Sequence, residues 1–241
     1  MKINICGLVL LFCFSTVFVQ NTVTEVTYKT ILNFANLSEK MTDKYSKSEI
    51  NTIVNSRSGY DAFNYTLLFN NYESVFWLNP IEVGMESEGG DNNQVTLYNR
   101  EKDSKFYKNL KDKIWLENFM SSGDGLLLLT LKEEKVEWDI TTETKKIGKQ
   151  TCYKANLNTG KEVYGYSDMS PDISVWFTPE IAVPFGPKSF GNLPGLILEA
   201  SIGPRTYYAT SIKYNVDKTI NKLTEGKPIT REAYRASRAK F

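Results

Sequence analysis

The sequence predicts a mainly β protein: one antiparallel sheet, open or closed, with a short C-terminal helix, and an α+β arrangement as its variant. Three observations lead there. Apolar residues recur at every second position in many short segments, the pattern of half-buried strands. Turn residues such as Gly123-Asp124-Gly125, Gly148, Gly160 and Gly203-Pro204 separate those segments at close intervals, leaving no room for alternating βα units. Aromatic residues make up 13% of the chain, with 14 Tyr and 13 Phe, and these side chains favour strands.

In chain order, Met1-Lys2 is followed by the apolar run Ile5 to Phe14 and a more polar exit through Ser15, Thr16 and Gln20. This is the layout of a secretory signal peptide over residues 1–19. The run is too short and too interrupted for a spanning helix, which needs about 20 apolar residues, so no transmembrane segment is expected in the mature chain. Residues 20–241 are expected to form a single β-rich domain. The first strand runs from Val26 to Phe34, with Val26, Tyr28, Leu32 and Phe34 on one parity. Leu37 to Ser58 is polar, with a short helix around Glu49 to Val54 or a plain connection. Alternation resumes at Phe63, Tyr65, Leu67 and Phe69 and again over Val75 to Leu78, with Asn70-Asn71-Tyr72-Glu73 as a hairpin loop between them.

Further strands are expected at Gln94 to Tyr98, Leu126 to Leu131, Val136 to Thr141, Lys149 to Asn156, Ile173 to Thr178, Leu196 to Ile202 and Thr206 to Tyr214. The tail over 219–241 ends in a helix from Thr230 to Lys240, capped by Thr230. On that helix Arg231, Arg235 and Arg238 share a face and form a basic stripe that suits the helix dipole, anionic lipid or a partner.

Composition narrows the chemistry. The chain has no histidine, which removes Ser-His-Asp and Cys-His catalysis and His-bearing zinc sites together. Loss of residues 1–19 takes away Lys2 and no acidic residue, bringing the formal charge from +1 to zero, and neutrality gives no footprint for nucleic acid. Cys6 and Cys13 leave with the signal. Cys152 then has no partner for an internal disulfide, and it alternates with Thr151 and Tyr153 as a packed strand thiol would.

The remaining chemical motifs are weak. Glu82, Glu86, Glu88 and Asp91 beside Gly89-Gly90 lack the ligand spacing of a calcium loop. Gly186-Pro187-Lys188-Ser189 ends like a phosphate-binding loop but has no upstream glycine at the needed offset. Glu133-Glu134 and Glu137, near Trp138-Asp139, are the carboxylates from which a glycosidase-like pair could be built. No catalytic, cofactor-binding or metal-binding residue is assigned.

The segment with the most physical content is Gly191-Asn192-Leu193-Pro194-Gly195-Leu196-Ile197-Leu198-Glu199. Pro194 and Gly195 suit the central positions of a type II turn that launches the strand from Leu196. Val183 to Gly191, dense in turn formers, reads as an ordered crossing loop.

At these residues the chain resembles the GLPGLI family. The match extends through Trp138-Asp139-Ile140, Glu143 to Gly148, Cys152 to Ala155 and Val175-Trp176-Phe177-Thr178-Pro179-Glu180-Ile181, then Gly186-Pro187, Phe190 and Leu193 to Leu198. It covers about residues 136 to 200, more loosely from Tyr65 to Phe76. Asn192 stands where the family has its first glycine, and Asn is the residue after glycine that best tolerates a left-handed backbone.

The resemblance implies an exported protein of the Gram-negative envelope, periplasmic or associated with the outer membrane, and a curved open sheet or half-barrel like that of lipoprotein carriers. It implies no activity. The expectation is a non-enzymatic binding or carrier protein without cofactor, for an apolar ligand, a lipid or a protein partner, with Trp77, Trp138 and Trp176 as the contact candidates. A structural module of an outer-membrane machine is the alternative, and a carboxylate-based hydrolase the third reading.

Overall fold

β1, Val23–Leu32, lies in the middle of a 12-stranded sheet and joins two meanders. The computed structural model of the chain describes residues 22–32, 63–81, 92–131, 137–157, 173–203 and 205–238, with a few isolated positions between 45 and 52. On one side of β1 run β2 (Asn64–Phe69), β3 (Glu73–Leu78), β4 (Lys105–Asn109), β5 (Ile114–Ser121) and β6 (Gly125–Leu131). On the other run β11 (Arg205–Val216), β10 (Leu196–Ile202), β9 (Ile173–Thr178), β8 (Gln150–Leu157) and β7 (Trp138–Ile147). β12 (Lys227–Thr230) closes the β6 edge as the sheet's parallel pair. Two helices complete the described fold, α1 (Asn92–Glu101) and α2 (Arg231–Arg238). Strand accounts for 58% and helix for 11%, and the sheet does not close into a barrel, so the mainly β class and the open sheet hold.

The inner face of the sheet is aromatic. Val26 pairs with Leu67 and Ile212, and Tyr28 with Tyr65 and Ala209, so the same parity carries across the centre. Tyr65 stacks on Phe76 at 5.3 Å between centroids and meets Tyr207 edge-on at 5.2 Å; such pairs add about 0.5–1.5 kcal/mol to their area burial.

The segment Ile181–Gly195 lies on this face as a plug. Phe185, Phe190 and Leu193 are all buried within it, each contributing roughly 1.5–3 kcal/mol. Trp138 of β7 donates its indole N–H to the Gly191 carbonyl, and Lys108 of β4 donates to that of Ser189. Seven strands separate β7 from β4 in the order, yet both reach the same turn. The sheet therefore curls around its own loop.

Beside β1–β6 the outer face is apolar as well. There Leu68, Val75, Tyr107 and Leu116 form a second cluster with Val23 and Leu223. The connection from β11 to β12, residues 217–226, crosses this face as a strap. Lys218 pairs with the buried Glu25 carboxylate, and the Asn118 side-chain amide donates to the Glu225 carbonyl at 2.7 Å. The described part of the tail, residues 219–238, is thus part of the sheet and of its outer core.

Three expectations need correction. The segment Gln94 to Tyr98 lies in helix α1: Leu97 is buried, Tyr98 meets Phe63 edge-on, and Glu101, one turn on, reaches β2 and β11. That is helical rather than alternating use of the side chains. Pro194-Gly195 does not form a type II turn, because Gly195 has no positive φ; the left-handed residue is Asn192, at φ 63°. Gly195 is required for space instead, since a Cβ there would sit 2.2 Å from the Thr178 carbonyl oxygen. Finally, β4, β5 and β12 escape the sequence reading. β4 and β5 bury Lys108, Asn109, Asn118 and Ser121, so their polarity does not alternate.

Other expectations match. Asn70 Oδ1 accepts the Tyr72 and Glu73 amides at the β2–β3 hairpin, and Thr230 Oγ1 accepts the Ala233 amide as the cap of α2. The proposed signal over 1–19 lies outside the described residues, as does most of the helix around Glu49 to Val54.

Candidate functional site

The three candidate tryptophans, of the four in the chain, end up in three different environments. Trp138 packs edge-on against Phe190 and is tied to Gly191 by its N–H, so it anchors the plug. Trp176 lies on the outer face of β9, with the Lys145 ammonium 4.4 Å above its ring and Lys145 in turn bonded to Glu199 at 2.7 Å. Trp77 faces the outer side of β3 and lines a groove between sheet and strap.

That groove has a volume of about 350 Å³, within the ~300–1,000 Å³ range of small-molecule sites. Its position follows from register. Trp77 pairs with Lys105, and Lys105 with Asn118, forming one cross-strand row, while Leu68 and Val75 lie in the next. The strap residues Thr219 and Asn221 to Glu225 form the opposite wall. Asn118 and Leu223 hold the strap against the sheet, and Trp77 in the same cross-strand row as Asn118 is half-buried. Among the described residues, Lys105, Lys222 and the Trp77 indole N–H have no hydrogen-bond or ion-pair partner. A second groove of about 410 Å³ lies between the β7–β8 turn and β11, beside Ile147, Leu198, Ile212 and Tyr214.

The inner face carries an ion network. Glu101 at the end of α1 accepts the Tyr65 hydroxyl at 2.6 Å and the Arg205 guanidinium at 2.6 Å, and Arg205 also donates to the Tyr207 hydroxyl at 2.9 Å. Burial pushes the Glu101 carboxyl up, but Arg205, Lys188 and the two hydrogen bonds outweigh it and hold it below its ordinary value. Burial raises the Tyr65 phenol, so it stays a donor. This network ties α1 to two strands, and its central carboxylate is occupied by both partners.

Glu117, next to it on β5, is different. It sits among Trp115, Phe119, Phe106 and Leu129 on the inner side, and its carboxyl is raised by burial against the opposing pull of Lys188 and Arg231.

The remaining candidates from sequence are dispersed. Cys152 is a free, buried thiol pushed up to about 11 by burial, a packed residue as its alternation with exposed Tyr153 predicts. Glu137 and Asp139 are exposed on either side of Trp138, and Glu133-Glu134 lies outside the described residues, as do Glu82, Glu86, Glu88 and Asp91. No group of three or more metal-ligating side chains occurs among the described residues.

Lys188 takes φ 55° in the plug, with its ammonium 5.7 Å from the Tyr207 ring centroid, so the Gly186 to Ser189 segment turns inward onto the sheet. The basic stripe of α2 is partly used internally. Arg238 bonds Asp124, Ser121 and the Ser122 carbonyl, and Arg231 faces Glu117. What sequence reasoning missed was the Trp77–Lys105–Asn118 row, because it depends on strands β4 and β5.

Comparisons with known proteins place the fold. Residues 162–199 match a family described as a protein of unknown function (Porph_ging), a stretch that includes β9, the plug and the start of β10. No curated protein shows significant similarity to the chain. Two structures of PNGF-II, in space groups C2 and P21, share its fold with TM-scores of 0.54 and 0.55 at 15% and 16% identity. In both, the similarity covers 89% of this chain and 32% of PNGF-II, so the chain spans about a third of that protein's length. Among the described residues, no helix is long and apolar enough to cross a membrane.

Proposed function

We propose that the protein is a non-enzymatic binding protein of the bacterial envelope, of the GLPGLI type, exported by its first 19 residues, and that it holds an apolar ligand in the groove beneath the strap. The supporting observation is the Trp77 groove, of ligand size, lined by Leu68, Val75, Trp77 and Leu223 together with Lys105, Asn118 and the polar residues of the strap. The concave side, where a carrier of this outline would hold its cargo, is packed with Phe185, Phe190 and Leu193 from the chain's own plug, which moves the proposed site to the convex side. A second reading has its own support. The fold recurs as about a third of the longer PNGF-II chain, which suits an interaction module within a larger assembly.

The test is binding of an apolar fluorescent dye, together with mass spectrometry of lipids that copurify with the envelope-extracted protein. Binding should fall at least tenfold in Trp77→Ala and persist in Thr210→Trp, which obstructs the second groove. A protein that binds no dye and carries no lipid overturns the proposal. Loss of binding in Thr210→Trp but not in Trp77→Ala places the site in the second groove.

A further inference from the structure

We infer that the occupant of the Trp77 groove is a single-chain amphiphile with a monoanionic head, such as a carboxylate, and a chain of about ten carbons. This rests on the reading of the groove as a binding site, and goes beyond it by naming the ligand's charge and length.

Length follows from volume. About 350 Å³ holds about a dozen non-hydrogen atoms at the ~30 Å³ that a water-sized group occupies in a liquid. A ten-carbon carboxylate has that size, whereas a two-chain lipid exceeds it several-fold. Trp77 on one cross-strand row and the Leu68–Val75 pair on the next line the sheet side of the groove, with the strap as the opposite wall.

Charge follows from the rim. Lys105 and Lys222 are both exposed and both lack an ion-pair or hydrogen-bond partner among the described residues, and the indole N–H of Trp77 is likewise unpaired. The third charged rim residue is Glu225, whose backbone carbonyl is taken by Asn118. Two ammonium groups and one carboxylate leave the rim with one net positive charge. A monoanionic head neutralises it, a dianionic phosphate monoester overshoots it, and a cationic head meets two like charges. Lys105 is the cross-strand partner of Trp77, so a head group at Lys105 places its chain beside the half-buried Trp77 and towards the edge where Leu223 covers Val75 and Leu68. An ammonium carries no bidentate fork, consistent with recognition of a head group by charge rather than by shape.

Isothermal titration of the intact protein with decanoate, decanol, decyltrimethylammonium and decyl phosphate, each below its micelle concentration, tests this. Decanoate should bind at least fivefold more tightly than the other three. Lys105→Met and Lys222→Met, which keep side-chain length without charge, should each weaken decanoate about threefold or more and leave decanol unchanged, with melting temperature as the check on folding. Equal binding of decanol and decanoate, or decanoate affinity untouched by both Lys variants, overturns the monoanion assignment while the apolar site stands. Tighter binding of decyl phosphate or of the cation overturns it too. If none of the four binds and the dye assay is also blank, the binding-protein reading falls with it.

Discussion

Asn192 and Gly195 show how two residues of one short string meet different physical demands. Asn192 takes the left-handed backbone that a glycine adopts freely, whereas Gly195 is confined by the Thr178 carbonyl 2.2 Å from where its Cβ would be. Asn192→Gly should therefore change stability by less than about 0.5 kcal/mol, and Gly195→Ala should cost about 2–3 kcal/mol through overpacking; urea midpoints distinguish them. Glu117 gives a second prediction at this scale. Its folded carboxyl binds a proton more tightly than an ordinary carboxyl does. Stability from this residue is therefore highest below the ordinary carboxylate value, falls as pH rises towards the raised one, and stays lower above it. Glu117→Gln should raise stability at neutral pH, with the gain vanishing below the ordinary carboxylate range, as read from denaturation at stepped pH.

Among the elements, α2 is held by its cap, by Tyr234 meeting Phe119 at 5.0 Å and by Arg238 bonding Asp124 and Ser121, with no buried residue of its own. Thr230→Ala should weaken the helix by about 1 kcal/mol. The loss should appear as faster amide exchange over 231–238 with little change in the global midpoint. α1 marks the limit of pattern reading. Val95 and Leu97 alternate as in a strand, but Val95 is exposed and Leu97 buried, and it is Glu101, outside the apolar pattern, that fixes the helix through Arg205 and Tyr65. An ion pair between residues 104 positions apart leaves no local trace.

Across the whole molecule, the strap and β12 turn one side of an open sheet into a covered one. A chain ending at residue 216 uncovers Leu68, Val75 and Leu116 and frees the β6 edge. It should aggregate or self-associate by size-exclusion chromatography, as bare apolar edges do. A chain ending at residue 230 keeps both strap and β12 and should elute as the full-length protein does, with a lower melting temperature.

The amino-acid sequence by itself determined the β class, the two strands flanking the plug, Ile173–Thr178 and Leu196–Ile202, the Thr230 cap and the inert placement of Cys152. Each rests on short-range periodicity, turn chemistry or capping. Only the tertiary structure decided which tryptophan faces a groove. The position of Trp77 beside Lys105 and Asn118 comes from strands whose buried polar residues hide their alternation. The strap that makes the groove's other wall is a polar stretch whose path is set by three distant anchors, Glu25, Asn118 and the Leu68–Leu116 cluster. Patterning reports the face a residue prefers, but contacts between residues far apart in the chain determine what covers that face.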